Sequence, residues 1–467
     1  MKGPSIKLKI HNSGKVCHKL KEIQQCFENY YKGLYTQPDS AESPSIVNFL
    51  NSLNLPSIGT EQNSIMTCEI TKQELDSAIS RLKTNKMSGA DGYPAEWYKT
   101  FREILAPVLL KCFNFTLKGG EIPISWRQPI ISVIPKTGKD KSECSSYRPI
   151  SILNIDYKLY ASIIAKRLEN IIPDIIDDDQ TGFLKNRQTQ DNIRALHLME
   201  HMSQNEDKSI VLSLDAEKAF DSVSWEYLYL TLQRFGFNSS VFLSLKNLYH
   251  SPTAKIKING SLSNPVQLER GCRQGCPLSP ALFALFIEPL AQEIREDHEI
   301  RGIWIKGTEY KTCLYADDVL VTLSQPELSL PKLFSSLKTL GHYSGYNLNI
   351  NKTQILSYNY TPAAQLLNPS IFNLDNDVVK YLGISIPKDL SNIYAINYLP
   401  LNKEIKADLN RWTLLPLGLH NRIDIIKMNI LPRLLFFLSI NTCRSTFKTI
   451  YRVEKNVFCV YLERLKT

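Results

Sequence analysis

The 467-residue sequence has no hydrophobic run long enough to cross a bilayer. Its most apolar stretches, 281–291 and 430–440, each span 11 residues and carry a charge, Glu288 and Arg433. The first residues, Met1-Lys2-Gly3-Pro4-Ser5-Ile6-Lys7, lack the apolar core of a secretory leader. The ten cysteines are scattered, with no close pairs that suggest a disulfide framework. Cys272 and Cys276 stand four apart, but no second Cys or Cys/His pair nearby would complete a zinc site. Internal repeats and low-complexity tracts are also missing. These absences exclude a membrane-spanning, a disulfide-stapled and a repeat architecture. The expectation is a soluble protein of the cytoplasm and nucleus, with reduced thiols and no membrane partner.

What is present is ordinary globular material with one asymmetry. Apolar residues make up 43% of the chain, and the length allows about three units of roughly 150 residues. Lys and Arg outnumber Asp and Glu by 55 to 46, a net charge of +9. Positions 401–467 hold 12 basic and 5 acidic residues, so +7 of that +9 lies in the last 67 positions. A localised positive field suits a polyanion, through phosphate contacts and counterion release. A solvated basic surface is the alternative reading.

Along the chain, 20–34 is a short helical pattern with a Phe27, Tyr30, Tyr31 and Leu34 face, and the Ser/Asn/Pro-rich stretch 40–64 reads as a linker. Thr71 and Glu74 form a capping box that starts a helix running to about Lys83. Helices are expected at 101–117, 156–172 and 281–295, and strands at 130–134 and 209–215. Asn259-Gly260 between two β-rich arms is the best hairpin signal in the chain. The tail from Ala395 onward reads as helical, broken at Pro400, at Pro416-Leu417-Gly418 and at Pro432. Asp177-Asp178-Asp179 reads as a solvated loop or cap. His197 and His201 fit a His-x-x-Glu-His zinc pattern but lack a third ligand, so an exposed helix is preferred.

The chemistry concentrates in Leu314-Tyr315-Ala316-Asp317-Asp318-Val319-Leu320. Adjacent carboxylates at the bend between two apolar arms raise each other's pKa unless a cation neutralises them. A plain polar turn is the bland alternative. Asp215 ends another apolar run, and nucleotidyl transfer uses carboxylates from neighbouring strands to bridge two divalent ions. Asp215 and Asp317 are 102 residues apart, so only tertiary structure unites them.

Taken in order, these motifs resemble those of reverse transcriptases. Tyr315-Ala316-Asp317-Asp318 looks like the family's catalytic box, and the run from Asp215 to Asp221 like its first catalytic motif. Arg273-Gln274-Gly275-Cys276-Pro277-Leu278-Ser279-Pro280 is similar to the signature of non-LTR elements. Further blocks from about 65 to 440, including Asp179-Gln180-Thr181-Gly182-Phe183 and Ile430-Leu431-Pro432-Arg433, resemble most closely the L-one clade of LINE retrotransposons.

The resemblance implies an α+β right-hand polymerase. Residues 1–65 would be an N-terminal helix and linker, 66–205 the fingers with an N-terminal extension, 206–390 the palm and 391–467 a partial basic helical thumb; the reverse transcriptase domain itself would cover about 115–386. It implies that Asp215, Asp317, Asp318 and the Ala216 carbonyl ligate two Mg²⁺, with Mn²⁺ as a substitute. Phe220 would be the steric gate against ribonucleotides, Gln274 and Gly275 the pocket lining, and Lys136 and Arg148 the triphosphate ligands. Lys352 would protonate the leaving pyrophosphate, while Tyr381, Leu382 and Gly383 form the primer grip. The implied partners are an RNA template, a DNA primer, deoxynucleoside triphosphates and an RNA-binding protein encoded by the same element. The family's endonuclease and its Cys/His-rich element have no counterpart in these residues, Ala90 stands for a more usual proline, and Phe458–464 leaves the pattern, as in a truncated element copy or a gene-model fragment. A non-catalytic nucleic-acid-binding relic is the rival reading, and an unrelated acidic-metal hydrolase a third.

Overall fold

The computed structural model describes residues 8–9, 16–38, 41–188, 194–361 and 377–440. Residues 441–467, with six basic and two acidic side chains, lie outside that set; so do +4 of the +7 and the 458–464 segment. The chain divides into two compact units. One comprises Met1–Asn186, Ala216–Asp297 and Leu333–Leu348; the other comprises Arg187–Asp215, His298–Lys332 and Asn349–Thr467. Helices and sheets mix in both, as α+β requires.

In the first unit a four-stranded sheet has the order Tyr147–Ile152, Ile130–Pro135, Thr253–Ile258, Ser261–Gln267. The first and last pairs are antiparallel and the central pair is parallel. Asn259 and Gly260, at φ 49° and 88°, make the two-residue turn between Ile258 and Ser261 that their sequence promised. Helix Leu20–Tyr35 lies against this sheet because Ile23, Phe27, Tyr31 and Tyr35 recur every four residues and are buried together. Thr71 caps Lys72–Ser80 by accepting from the Glu74 amide at 3.2 Å, while the Glu74 carboxylate accepts from the Thr71 amide at 2.9 Å.

Two expectations fail in this unit. The stretch read as a linker carries helices Ser43–Ser52 and Thr60–Thr67, since Ile46 and Leu50, a helical turn apart, bury an apolar edge that outweighs the polar composition. The acidic run at 177–179 is a solvated loop only in part: Asp177 and Asp178 are exposed, but the third acid is not. Asp179 is buried, with both carboxylate oxygens on Arg295 Nη1 at 2.9 and 3.0 Å, and the same guanidinium bonds buried Glu288. A bidentate cation is what permits two carboxylates in an interior.

The second unit is built on an antiparallel sheet, Thr312–Tyr315, Asp318–Ser324, Ser209–Leu214, Gln354–Tyr358. The two central strands are apolar almost throughout because helix Arg194–Gln204 seals Leu198, Met199 and Met202 onto a shared core with Val211, Leu320 and Leu356. Further helices, Ile393–Thr413 and Leu419–Ile425, follow a hairpin at 378–387. Here Pro400 does not break the chain: it is exposed within Ile393–Thr413, where the bond its missing N–H forfeits faces solvent. Pro432 is also passed without a break. A π turn at Ile426–Ile430 precedes it, and Arg433 Nε–H donates to the Asn429 carbonyl at 2.7 Å. No described helix is long and apolar enough to cross a membrane.

Candidate active site

Strand register gathers the acids. Leu214 pairs with Val319 in an antiparallel ladder, so the residue after Leu214 and the residue before Val319 lie side by side at the same end of the sheet. Those residues are Asp215 and Asp318. Tyr315 pairs with Asp318 across a two-residue turn, which puts Asp317 beside them. Ala316 holds that turn at φ 58°, a left-handed conformation that strains an L-residue by about 1–3 kcal/mol and recurs at functional sites.

The electrostatics match this crowding. Protein packed around the carboxyl, and then the charges of Asp317 and Asp215, push Asp318 up to about 6. Burial also raises Asp317, assisted by Asp215 and opposed by its own backbone hydrogen bond and by Lys352. Lys352 Nζ lies 2.8 Å from Asp215 Oδ2, both side chains being partly exposed. The Asp215 carbonyl accepts from the Asn349 amide at 2.7 Å, which ties the strand end to the turn that carries Lys352. As hard oxygen donors, three carboxylates at one end of the sheet suit a divalent ion such as Mg²⁺. Among the described residues no three His, Cys, Asp or Glu side chains converge closely enough to chelate one ion alone.

Leu382 and Gly383, at φ 48° and 83°, make a two-residue hairpin turn in the same unit, and Tyr381 is the strand residue that enters it. Tyr381 Oη donates to the Cys313 carbonyl at 3.1 Å, on the strand that leads into Tyr315 and Asp317. His197 is exposed on the amphipathic helix Arg194–Gln204, and His201 Nε2 meets Asn205 Nδ2 at 2.9 Å.

The other candidates belong to the first unit. Ala216 forms an isolated antiparallel bridge to Leu348. Phe220 stacks on Phe283 at 4.4 Å and 18° and meets Phe183 edge-on at 6.3 Å. Gln274 accepts from the Ser151 amide through its carbonyl at 2.8 Å, and its Nε2 donates to Asp221 Oδ2, also at 2.8 Å. Gly275 is exposed at φ 105°, and a Cβ there would lie 2.9 Å from the Ser151 carbonyl oxygen, so only glycine fits without a shift. Arg148 is exposed on the strand beside Ile134, and Lys136 Nζ donates to the Ser145 carbonyl at 3.0 Å. Cys272 and Cys276 are buried free thiols.

Two residues packed around Gln274 and Phe220 escaped the sequence reading. Asp221 is buried, held by Gln274 and by Tyr35 Oη at 2.9 Å on Oδ1; burial pushes it up to about 7 against the pull of Tyr35, Lys218, Gln274 and Lys136. Asp221 closes the motif that Asp215 opens, and that position was the available signal. Nothing local pointed to Tyr35, 186 residues away.

The reverse transcriptase (RNA-dependent DNA polymerase) family model matches residues 134–386, more than half of the chain. The chain belongs to the reverse transcriptase family. Its fold is accordingly of the right-hand polymerase class. Its relatives come from non-LTR retrotransposons. It is 30% identical to an uncharacterized protein of transposon TX1 from Xenopus laevis, over 84% of this chain. It is 27% identical to the Pol polyprotein of retrotransposable element R2DM from Drosophila melanogaster, over 91% of this chain. It is 24% identical, over 81% of the chain, to the RNA-directed DNA polymerase from mobile element jockey of the same fly. The matches span 30%, 40% and 42% of those relatives, so the chain corresponds to less than half of each.

Proposed function

We propose that this reverse transcriptase extends a DNA primer on an RNA template, adding deoxynucleotides from their triphosphates. The observation that carries this is the placement of Asp215, Asp317 and Asp318 side by side at one end of the sheet, where burial and then neighbouring carboxylates push the carboxyls of Asp317 and Asp318 upward. Asp215, Asp317, Asp318 and the Ala216 carbonyl would hold two Mg²⁺, or Mn²⁺ in their place, which when bound acidify a primer hydroxyl and neutralise triphosphate charge.

The remaining residues bind, orient and exclude. Lys136 as a point charge and Arg148 as a fork hold phosphate oxygens. Phe220, backed by Phe283, presents a rigid ring where a 2′-hydroxyl would clash. Gln274 and Gly275 line the sugar and base side, the glycine admitting close backbone approach. Lys352 neutralises Asp215 in the resting chain and supplies a proton to the departing pyrophosphate. Tyr381, Leu382 and Gly383 hold the primer end. Residues 66–205, 206–390 and 391–467 serve as fingers, palm and thumb. The further blocks from about 65 to 440, among them Asp179-Gln180-Thr181-Gly182-Phe183 and Ile430-Leu431-Pro432-Arg433, support placement within the L-one clade, and an RNA-binding protein of the same element is the expected companion.

The test is primer extension on poly(A)/oligo(dT) with Mg²⁺, comparing the wild type with Asp317→Asn and Asp215→Ala. Loss of about two orders of magnitude or more is expected from either variant, with the fold retained. Extension within about tenfold of wild type in both variants would overturn the assignment.

A further inference from the structure

Helix Leu20–Tyr35 lies outside the family match, yet four ties join it to segments that carry the nucleotide pocket. Tyr35 Oη donates to Asp221 Oδ1 at 2.9 Å, and Lys218 Nζ sits 4.8 Å above the Tyr30 ring. The Tyr35 carbonyl accepts from the Glu269 amide at 3.0 Å, and the Leu34 carbonyl from Arg270 Nε at 2.8 Å. Asp221 takes the last step, since its second oxygen accepts from Gln274 Nε2 at 2.8 Å.

Above about pH 7, where Asp221 is ionised, its carboxylate has no proton to donate and so decides which end of the Gln274 carboxamide faces it. With Nε2 committed inward, Oε1 is turned away from Asp221 and the amide cannot flip. Tyr35 in turn holds the carboxylate in one rotamer. The backbone supports the same arrangement, because the Phe220 carbonyl accepts from the Cys272 amide at 2.6 Å. Gly271, at φ 96°, lets the Asp221 carbonyl approach to where a Cβ would lie 2.8 Å away. Lys218, Lys136 and Arg270 are the charged groups that act on Asp221, and Tyr30, Tyr31 and Cys272 are titratable neighbours of it besides Tyr35.

We infer that Tyr35 and Asp221 are positioning residues for nucleotide binding: the hydroxyl of the first fixes the carboxylate of the second, which fixes the Gln274 carboxamide. The inference rests on the reading of Gln274 as a pocket residue of a polymerase. It makes the helix ahead of the matched domain a working part of the site.

The full-length chain is assayed at pH 8, where Asp221 is ionised, with Mg²⁺ on poly(A)/oligo(dT) for the KM and kcat of dTTP. A dideoxy-terminated primer gives the dTTP affinity of the ternary complex without turnover. Tyr35→Phe deletes one hydroxyl from a ring that keeps its stack on Tyr31 (6.0 Å). It should raise the dTTP KM and the ternary-complex Kd by about tenfold, the loss typical of a hydrogen bond to a charge, with kcat within about twofold. The isosteric Asp221→Asn should raise both by at least as much, and adding Tyr35→Phe to it should change little more. Tyr31→Phe is the structural control, because its buried hydroxyl has no described hydrogen-bond partner; its dTTP constants should match wild type. Unchanged dTTP constants in Tyr35→Phe and Asp221→Asn overturn the inference alone. Equal effects of Tyr31→Phe and Tyr35→Phe assign the change to packing and overturn it too. A wild type that neither extends primers nor forms a dTTP-dependent complex overturns the polymerase reading, and this inference with it.

Discussion

Phe220→Val separates a gate from a core aromatic, because the two roles have different magnitudes in different assays. Phe220 is half-buried, one face stacked on Phe283 at 4.4 Å and an edge toward Phe183 at 6.3 Å. Valine removes most of the ring, and roughly 60 Å² of lost apolar burial corresponds to about 1.5 kcal/mol. The lost stack adds about 0.5–1.5 kcal/mol. The ring is partly open to solvent, so little closed cavity remains to add to this. Thermal unfolding should shift down by about 4–12 °C, at 2–4 °C per kcal/mol. That much follows from packing alone. If Phe220 also blocks a 2′-hydroxyl, the ratio of kcat/KM for dTTP over UTP should fall by about 10–200-fold, the range for adding or removing a small group's worth of space in a pocket. The two ratios are measured on one template–primer, with the melting shift as internal control. A lower melting temperature with an unchanged sugar ratio would return Phe220 to the core and refute the gate.

Two further outcomes concern buried charge. Arg167→Met should cost about 3–5 kcal/mol in chemical unfolding, since the nearly buried guanidinium donates to both Glu74 oxygens (2.8 and 2.9 Å) and to the Cys68 carbonyl (2.7 Å), all left short of a donor; a loss under about 1 kcal/mol would contradict that accounting. Asp221→Asn should flatten the pH dependence of stability. Burial pushes Asp221 from 3.8 up to about 7, so between those values the folded chain holds a proton that the unfolded chain has released. Stability from this group is therefore present below pH 3.8 and lost as pH rises through about 7, by at most about 4 kcal/mol. Urea midpoints at pH 5 and pH 8 check it, and equal pH slopes in wild type and variant would reject it.

Much of the fold was legible because local chemistry and tertiary packing agree. Asn259-Gly260 demanded a two-residue hairpin turn, and Ile258 and Ser261 flank it. Thr71 and Glu74 marked a helix start by reciprocal capping, and both bonds are formed. Where composition was read in place of periodicity, the reading failed. The 40–64 stretch is rich in Ser, Asn and Pro, yet Ile46 and Leu50 sit one helical turn apart and decide the outcome. In the tail, the identity of a proline alone does not decide a break. At Pro400 the deciding variable is which helix face it occupies, and at Pro432 it is the wider π turn just ahead.

The candidate site divides along the same line. Asp317 and Asp318 could be found because adjacent carboxylates between two apolar arms are a local oddity, and Asp215 because it ends a strand in the same way. Asp179 and Asp221 offered no such oddity: one sat in a charge run, the other at the end of a motif. Both are buried, and in each case the group that makes burial tolerable is distant, Arg295 at 116 residues from Asp179 and Tyr35 at 186 from Asp221. Sequence rules that send charge to the surface assume no partner, and a partner that far away leaves no trace in any short window. A buried acid therefore becomes readable only after the fold has placed its donors. For that reason the three carboxylates at the end of the sheet were found from the sequence while the carboxylate that orients Gln274 was not.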